Sequence, residues 1–243
     1  LSIIVSDWER FILFNGELTS IPIALQKDNR NYEVTKKMQS KLEWYYTFTR
    51  YNINTPKVFY NGKTLLNPIS PDIETFIKKP IYGTEGSKVS KINKRDLNSA
   101  FEESYIIQEY ISDCFTDFAR HIRIMTYCDN ANKCHVFFIK EDRQSTDSIT
   151  SNRSNKGTIQ TICKNNFCDF LSRKEQRQIT HVSKKLLKLH QKEFNIVPFI
   201  GWDVSLSSKG PIVFEGNLGG GMNVSNEIYA KYKQLINALY SSK

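Results

Sequence analysis

Apolar positions along the chain change their period several times, and each change marks an element. Between about Val34 and Tyr51, Met38, Leu42, Tyr45, Tyr46 and Thr49 recur mainly at three- and four-residue steps, which predicts an amphipathic helix ending before Pro56. Short apolar runs from Lys57 to Tyr60 and from Thr75 to Lys79 read as strands, the second running into Pro80 and a glycine-containing loop. Three further strand-like runs, Tyr105 to Ile111, Ala119 to Tyr127 and His135 to Lys140, are separated by polar turns of hairpin length or slightly more, an antiparallel pattern. The Ser-, Thr- and Asn-rich stretch 144–157 is too long for a simple turn and is a candidate substrate loop. A long helix is predicted from Ser172 to Phe194, with Ile179, Val182, Leu186, Leu189 and Phe194 on one face and lysines on the other. Strands from Phe199 to Leu206 and Pro211 to Glu215 flank the turn Ser208-Lys209-Gly210, and a last helix runs from about Asn226 to Tyr240 after Gly219-Gly220-Gly221. Residues 1–36 are weakly patterned. The order of elements predicts an α+β fold with function on loops and strand ends.

Composition narrows the classes. At 243 residues, 40% hydrophobic and 24% charged, the chain has ample material for a packed core, which excludes disordered and collagen-like classes. No apolar run reaches the roughly 18 to 20 residues needed to cross a bilayer, and Asp7, Glu9 and Arg10 interrupt the apolar N-terminal stretch. The first residue is leucine, so residues upstream are expected. Lys and Arg exceed Asp and Glu by 34 to 25, a net charge of +9 that attracts anions. Much of that charge, such as Lys184, Lys185 and Lys188, sits at helical spacing and reads as a solvated face. The aromatics fall on apolar periodic positions and read as core, not as a base-stacking platform, so nucleic acid is not the expected partner. Five cysteines, Cys114, Cys128, Cys134, Cys163 and Cys168, form no CxxC pair and read as free thiols in a reducing cytoplasm. The sequons at Asn152 and Asn223 read as chance matches.

The chemistry concentrates in three places. In the last hairpin, side chains two apart share a face, so Glu215 and Asn217 point the same way and Asp203 can lie opposite them. Two carboxylates and an amide interrupting apolar strands suit a hard divalent cation such as Mg²⁺; the other reading is strand ends facing water. Lys79 leaves a strand and is followed by Gly83-Thr84-Glu85-Gly86-Ser87, whose freed backbone N–H groups can cradle phosphate, although a plain glycine turn has the same composition. It is not a Walker A loop, since GxxxxGK[ST] spacing is absent. Gln108 and Glu109 interrupt the apolar run Ile106 to Ile111, which is either an edge for a purine or a core strand. The four histidines form no HxxxH or HExxH pair, and there is no GxSxG elbow.

Together these segments resemble the ATP-grasp superfamily of carboxylate-amine ligases, over roughly residues 37–226. Lys41 with the helix that follows it, and Asn52-Ile53-Asn54-Thr55-Pro56, are similar to the opening of the family's small nucleotide-binding subdomain. The resemblance implies that Lys41 and Lys79 touch ATP phosphates, that Gly83, Gly86 and Ser87 belong to the loop covering them, and that Gln108, Glu109, Tyr110 and Ile111 form the adenine-binding strand. Asp113 would reach the ribose, and Asp203, Glu215 and Asn217 would be the metal triad. Arg123 resembles the arginine that contacts the transferred phosphate, with Arg120 as a rival, and Arg153 lies where related ligases carry a loop near phosphate and substrate. Gly201 departs from D-alanine ligase, which has arginine two positions before the metal aspartate. The segment from Gly201 through Asn217 looks most like sugar-transfer-associated ATP-grasp proteins.

The resemblance implies two α+β subdomains gripping ATP between antiparallel sheets, divided as a shortened N-terminal region 1–36, a small subdomain 37–110 and a large subdomain 111–243 with the metal site. It implies a cytoplasmic ligase using ATP and one or two Mg²⁺ ions to join an acidic small molecule or glycan to an amine through an acyl phosphate. Two rivals remain at this level, an ATP-grasp kinase acting on a hydroxyl and a non-catalytic polyanion-binding module.

Overall fold

The computed structural model describes residues 11–14, 17–20, 32–82, 88–111, 118–129, 131–145, 159–162 and 171–218, with 230–231 and 234–235 helical near the C-terminus. Gly83, Gly86, Ser87, Asp113, Arg153, the loop 146–158 and most of the last predicted helix lie outside the described residues. The architecture is α+β, as predicted, with every described strand pairing antiparallel.

The weakly patterned N-terminus contains a hairpin of β1 (Phe11–Phe14) and β2 (Glu17–Ser20). A four-stranded sheet has the order β3-β6-β4-β5, built from β3 (Val58–Tyr60), β4 (Thr75–Pro80), β5 (Ser90–Asn93) and β6 (Tyr105–Glu109). A five-stranded sheet has the order β11-β10-β7-β8-β9, from β7 (Phe118–Cys128), β8 (Cys134–Ser145), β9 (Ile159–Ile162), β10 (Phe199–Ser207) and β11 (Gly210–Leu218). The run at Tyr105 therefore does not pair with its successor. It lies between β3 and β4, while β7 pairs with β8 and β10 in the other sheet.

The predicted helix over 34–51 is two helices, α1 (Tyr32–Gln39) and α2 (Lys41–Arg50). Ser40 separates them in extended geometry (φ −93°, ψ 117°), with its Oγ accepting from the Glu43 N–H at 3.2 Å and its backbone bridging to Tyr82. A serine whose side chain caps the next turn competes with helix continuation, and the break resets the helical phase. Hence Trp44, Thr47 and Phe48 face the core, whereas Tyr46 and Thr49 of the predicted stripe are exposed. By contrast α3 (Arg173–Glu193) runs as predicted. It starts with a reciprocal Ser172–Glu175 capping box and buries Ile179, Val182, Leu186 and Leu189, with Phe194 buried at its end.

The larger core lies between the five-stranded sheet and helices α2 and α3, and Trp44 sits at its centre. Its ring meets Trp202 edge-on at 5.4 Å, stacks on Phe48 at 5.3 Å and touches Phe194 at 5.1 Å. A second cluster, including Phe59, Phe76, Leu97 and Ile107, fills one face of the four-stranded sheet. Inside the larger core, Trp202 Nε1 donates to Thr126 Oγ1 at 2.8 Å and that hydroxyl faces His190 Nδ1 at 2.8 Å. His190 Nε2 lies 2.7 Å from the Val197 carbonyl oxygen. A carbonyl only accepts, so Nε2 carries the proton and Nδ1 accepts from Thr126.

The β10–β11 hairpin turns at Ser208 and Lys209. Its register places Asp203 opposite Glu215 and Val204 opposite Val213, so Phe214 is the extra residue of a bulge. The free-thiol expectation fails for Cys128 and Cys134, which are joined in a disulfide. Their separation of six residues hides the pairing in the sequence, but the β7–β8 register sets them directly opposite with Cα atoms 4.0 Å apart. Thiol content therefore carries no argument about compartment. No helix among the described residues is long and apolar enough to cross a membrane.

Candidate active site

Alternation along three neighbouring strands builds one face. On β10, Trp202 and Val204 point into the core, which turns Asp203 to the opposite face; on β7, Ile122 and Ile124 do the same for Arg123 and His121. On β11 the buried Gly216 lies between Glu215 and Asn217. Gly216 has no room for a side chain, since a Cβ there would stand 2.8 Å from Trp44 and 2.9 Å from Trp202. The aromatic core thus seats the strand that carries both polar residues.

The three residues predicted as a triad come together. Asn217 Nδ2 donates to Asp203 Oδ2 at 2.8 Å and to Glu215 Oε1 at 3.4 Å. The other oxygen of Asp203 is approached from β7, by Arg123 Nε at 2.8 Å and His121 Nε2 at 3.3 Å. Asp203 is 8% exposed. Burial works against its charged form, but the Arg123 guanidinium, His121 and the Asn217 amide outweigh that effect and hold the carboxyl below its usual range. Asp203 Oδ1 and Arg123 Nε are nonetheless buried without an aligned hydrogen bond, so their contact is one of charge alone.

Lys79 comes from the other sheet. It shares a face of β4 with Ile77 and is buried, which pushes its ammonium down to about 8; Lys41 adds to the effect, while Glu215 and Asp203 oppose it. Lys79 therefore lies within electrostatic reach of both Lys41 and the acid cluster. Lys41 is the first residue of α2, and its N–H donates to the Ile81 carbonyl at 2.9 Å, just after β4 ends. Gln108 is buried on β6 opposite Ile77 and Val58. Glu109 and Lys57 exchange contacts: the Glu109 N–H donates to the Lys57 carbonyl at 2.8 Å, and Glu109 Oε2 accepts from the Lys57 N–H at 3.4 Å. Tyr110 carries Lys91 Nζ over its ring at 4.2 Å, and Ile111 is half-buried.

Of the remaining residues predicted for the site, Gly83, Gly86, Ser87, Asp113 and Arg153 are undescribed, and Arg120 lies on β7. His121 lies outside the predicted set, since no histidine spacing here suits a zinc pair and no GxSxG elbow accompanies them. Its position two residues before Arg123 on one strand was the available signal.

The oxygens of Asp203, Glu215 and Asn217 form a donor set of the kind that Mg²⁺ accepts, and the unaligned Asp203 Oδ1 has capacity for a further partner. A second grouping of metal-binding residue types, Cys128, Cys134 and His190, does not fit an ion. Its sulfurs are bonded to each other and both ring nitrogens of His190 are engaged. A hollow between α3 and the β10–β11 turn, lined by Asn54, Arg177, His181, Lys185 and Lys209 among others, contains none of the predicted site residues.

The family model described as an ATP-grasp domain matches residues 38–218. No curated protein matches the chain by sequence. Among solved structures, L-amino acid ligase from Bacillus licheniformis is similar with a TM-score of 0.61 at 16% identity, covering 94% of this chain and 55% of that one. N5-carboxyaminoimidazole ribonucleotide synthetase from Thermotoga maritima gives 0.55 at 12% identity, over 91% and 56%. D-alanyl-alanine synthetase A from Vibrio cholerae O1 biovar eltor gives 0.57 at 12% identity, over 85% and 66%. The chain spans a little over half the length of the first two, and at these identities the likeness is one of fold.

Proposed function

Because the chain belongs to the ATP-grasp domain family, we propose that it is an ATP- and Mg²⁺-dependent ligase joining a carboxylate to an amine. The observation that carries this reading is the convergence of Asp203, Glu215 and Asn217 on one face, with Lys79 of the other sheet acting on the same carboxylates. Reactions of this class bring together anions that repel one another. Fixed cations and oxygen-bound metal lower that cost by neutralising phosphate charge.

In this scheme Asp203, Glu215 and Asn217 would hold the divalent cation, which would supply positive charge to offset that of the ATP phosphates. Lys41 and Lys79 bind the phosphates, and Gly83, Gly86 and Ser87 are assigned on the family resemblance to the loop that would cover them. Gln108, Glu109, Tyr110 and Ile111 border the adenine, and Asp113 meets the ribose. Arg123 and Arg153 stabilise the phosphoryl group in transfer. A substrate carboxylate oxygen attacks the γ-phosphorus and ADP leaves, forming an acyl phosphate. The amine then attacks the acyl carbon, inorganic phosphate leaves, and one proton is released as the amide forms. No protein nucleophile takes part.

The proposed nucleotide cleft separates a small subdomain, 37–110, from a large one, 111–243. The net charge of +9 suits an acidic acceptor, which we place among glycans or their sugar precursors on the likeness of the Gly201 to Asn217 segment. An ATP user of this kind would work in the cytoplasm. Calorimetric titration with a non-hydrolysable ATP analogue, with and without Mg²⁺, is the direct test. Saturable binding that tightens with Mg²⁺ is expected, followed by ADP release that requires both an acid and an amine. Folded protein that ignores the nucleotide overturns the reading; ADP release with a hydroxyl acceptor and no amine replaces the ligase by a kinase.

A further inference from the structure

Asp203 is assigned above as an oxygen donor to a cation, yet its Oδ1 already has two partners of the opposite kind. Arg123 Nε stands 2.8 Å from it and His121 Nε2 3.3 Å, both from β7, while Oδ2 is taken by Asn217. The Arg123 contact is close but misaligned, so charge attraction holds the pair without a well-formed hydrogen bond. An interaction of that kind is weaker than the charge-assisted bonds its distance would suggest. The guanidinium is otherwise seated against Gly201, where a Cβ would come within 2.8 Å of Nη1, and its one further polar contact there is long, Nη1 to the Gly201 carbonyl oxygen at 3.5 Å.

We propose that Asp203 exchanges partners: its Oδ1 passes from Arg123 to the divalent cation, so that loading of the metal site and release of the Arg123 guanidinium are a single event. The inference rests on the metal assignment of the preceding subsection. Arg123 in its paired position is spent on Asp203 and unavailable to a phosphoryl group. Released, it can turn toward the transferred phosphate without leaving its strand. His121 is a positioning residue that keeps Oδ1 oriented through the exchange. The coupling is reciprocal: whatever the Arg123–Asp203 contact contributes must be given up for the metal to use Oδ1, so weakening that contact tightens the metal.

The experiment measures Mn²⁺ affinity without nucleotide, by electron paramagnetic resonance of the free ion, for wild type, Arg123→Gln and Arg123→Lys. Partner exchange predicts tighter binding in Arg123→Gln, by about tenfold, equivalent to about 1.4 kcal/mol, and a smaller gain in Arg123→Lys, which keeps the charge that holds Asp203. Unchanged or weaker binding in Arg123→Gln overturns the exchange. A second measurement does not depend on the variants folding: the ¹⁵Nε–H resonance of Arg123 in wild type should shift when Mg²⁺ saturates the protein, and a stationary resonance rejects the exchange. Wild type that binds no Mn²⁺ removes the metal assignment and the exchange together; wild type that binds Mn²⁺ indifferently to Arg123 removes only the exchange.

Discussion

Arg123 of β7 lies across Gly201 of β10, with Nη1 3.5 Å from the glycine carbonyl oxygen and its aliphatic stem over the glycine Cα. The absent side chain on one strand is the space that the arginine of the next strand fills. The sequence raised the question of what replaces an arginine two positions before Asp203, and the neighbouring strand supplies a guanidinium to that region.

Gly201→Ala therefore tests the site without touching a charged residue. Its Cβ would meet Arg123 Nη1 at 2.8 Å and Cδ at 3.2 Å. The end of a flexible side chain can give way, so the fold should hold while the guanidinium is displaced. A misplacement near 1 Å at a reacting centre costs about 10²-fold in rate. ADP release should fall by that order with an unchanged melting temperature; a fully active variant would show that the placement of Arg123 does not matter.

Gly216→Ala should behave in the opposite way. There the new Cβ meets the rings of Trp44 and Trp202 within 2.9 Å, both fully buried in a packed core. Overpacking of this kind costs about 1 to 3 kcal/mol. Urea unfolding should register the loss as a lower midpoint, and a midpoint equal to that of wild type would mean that the core gives more readily than its packing implies.

Glu215→Gln keeps the shape of the side chain and removes one of the two carboxylates beside Asn217. The variant should bind the ATP analogue with little or no gain from Mg²⁺, losing at least tenfold in metal-dependent affinity, about 1.4 kcal/mol. Calorimetry with and without Mg²⁺ reads this directly. A wild-type metal response would take Glu215 out of the ion's shell.

His190 links stability to pH. Burial lowers its imidazole to about 4 from a reference of 6.5, opposed only in part by the bond to Val197. Between those values the unfolded chain binds a proton that the folded chain refuses, so stability is complete above about pH 6.5 and declines as pH falls toward 4. The slope approaches about 1.4 kcal/mol per pH unit for one proton. Urea midpoints at pH 7, 6 and 5 should show the decline in wild type and a shallower one in His190→Gln; parallel slopes would assign the pH response to other groups.

Local signals made α3 and the β10–β11 hairpin legible: one apolar face, a short turn and a two-residue alternation. The Asp203, Glu215 and Asn217 cluster followed from the same alternation, since hairpin partners are neighbours in sequence. Arg123 and Lys79 were different. They reach the site through pairings across strands and sheets that no local pattern encodes: only the resemblance pointed to Arg123, while Lys79 was marked by its place ahead of a glycine-containing loop but not by its neighbours in space. The helix boundary at Ser40 is hidden in the sequence because apolar residues continue at three- and four-residue steps on both sides of it, although the buried face changes there. Hairpin-length turns likewise do not reveal the neighbours of the strand at Tyr105, because pairing β6 between β3 and β4 depends on contacts distant in sequence. Cys128 and Cys134 meet only through the β7–β8 register.

The bulge at Phe214 carries a consequence for chain length. Val213 and Glu215 are two apart and would share a face in a regular strand, yet Val213 is fully buried and Glu215 lies on the opposite side with Asp203. The extra residue between them inverts the alternation once, and the arrangement of the acidic group depends on that single inversion. Insertions and deletions in β11 are therefore unequal. Removing Phe214 would leave Val213 and Glu215 on their present sides and abolish only the kink, whereas adding or removing one residue between Glu215 and Asn217 would send one of them into the tryptophan-lined interior. In this segment the count of residues, more than their identity, decides which side chains meet the cleft.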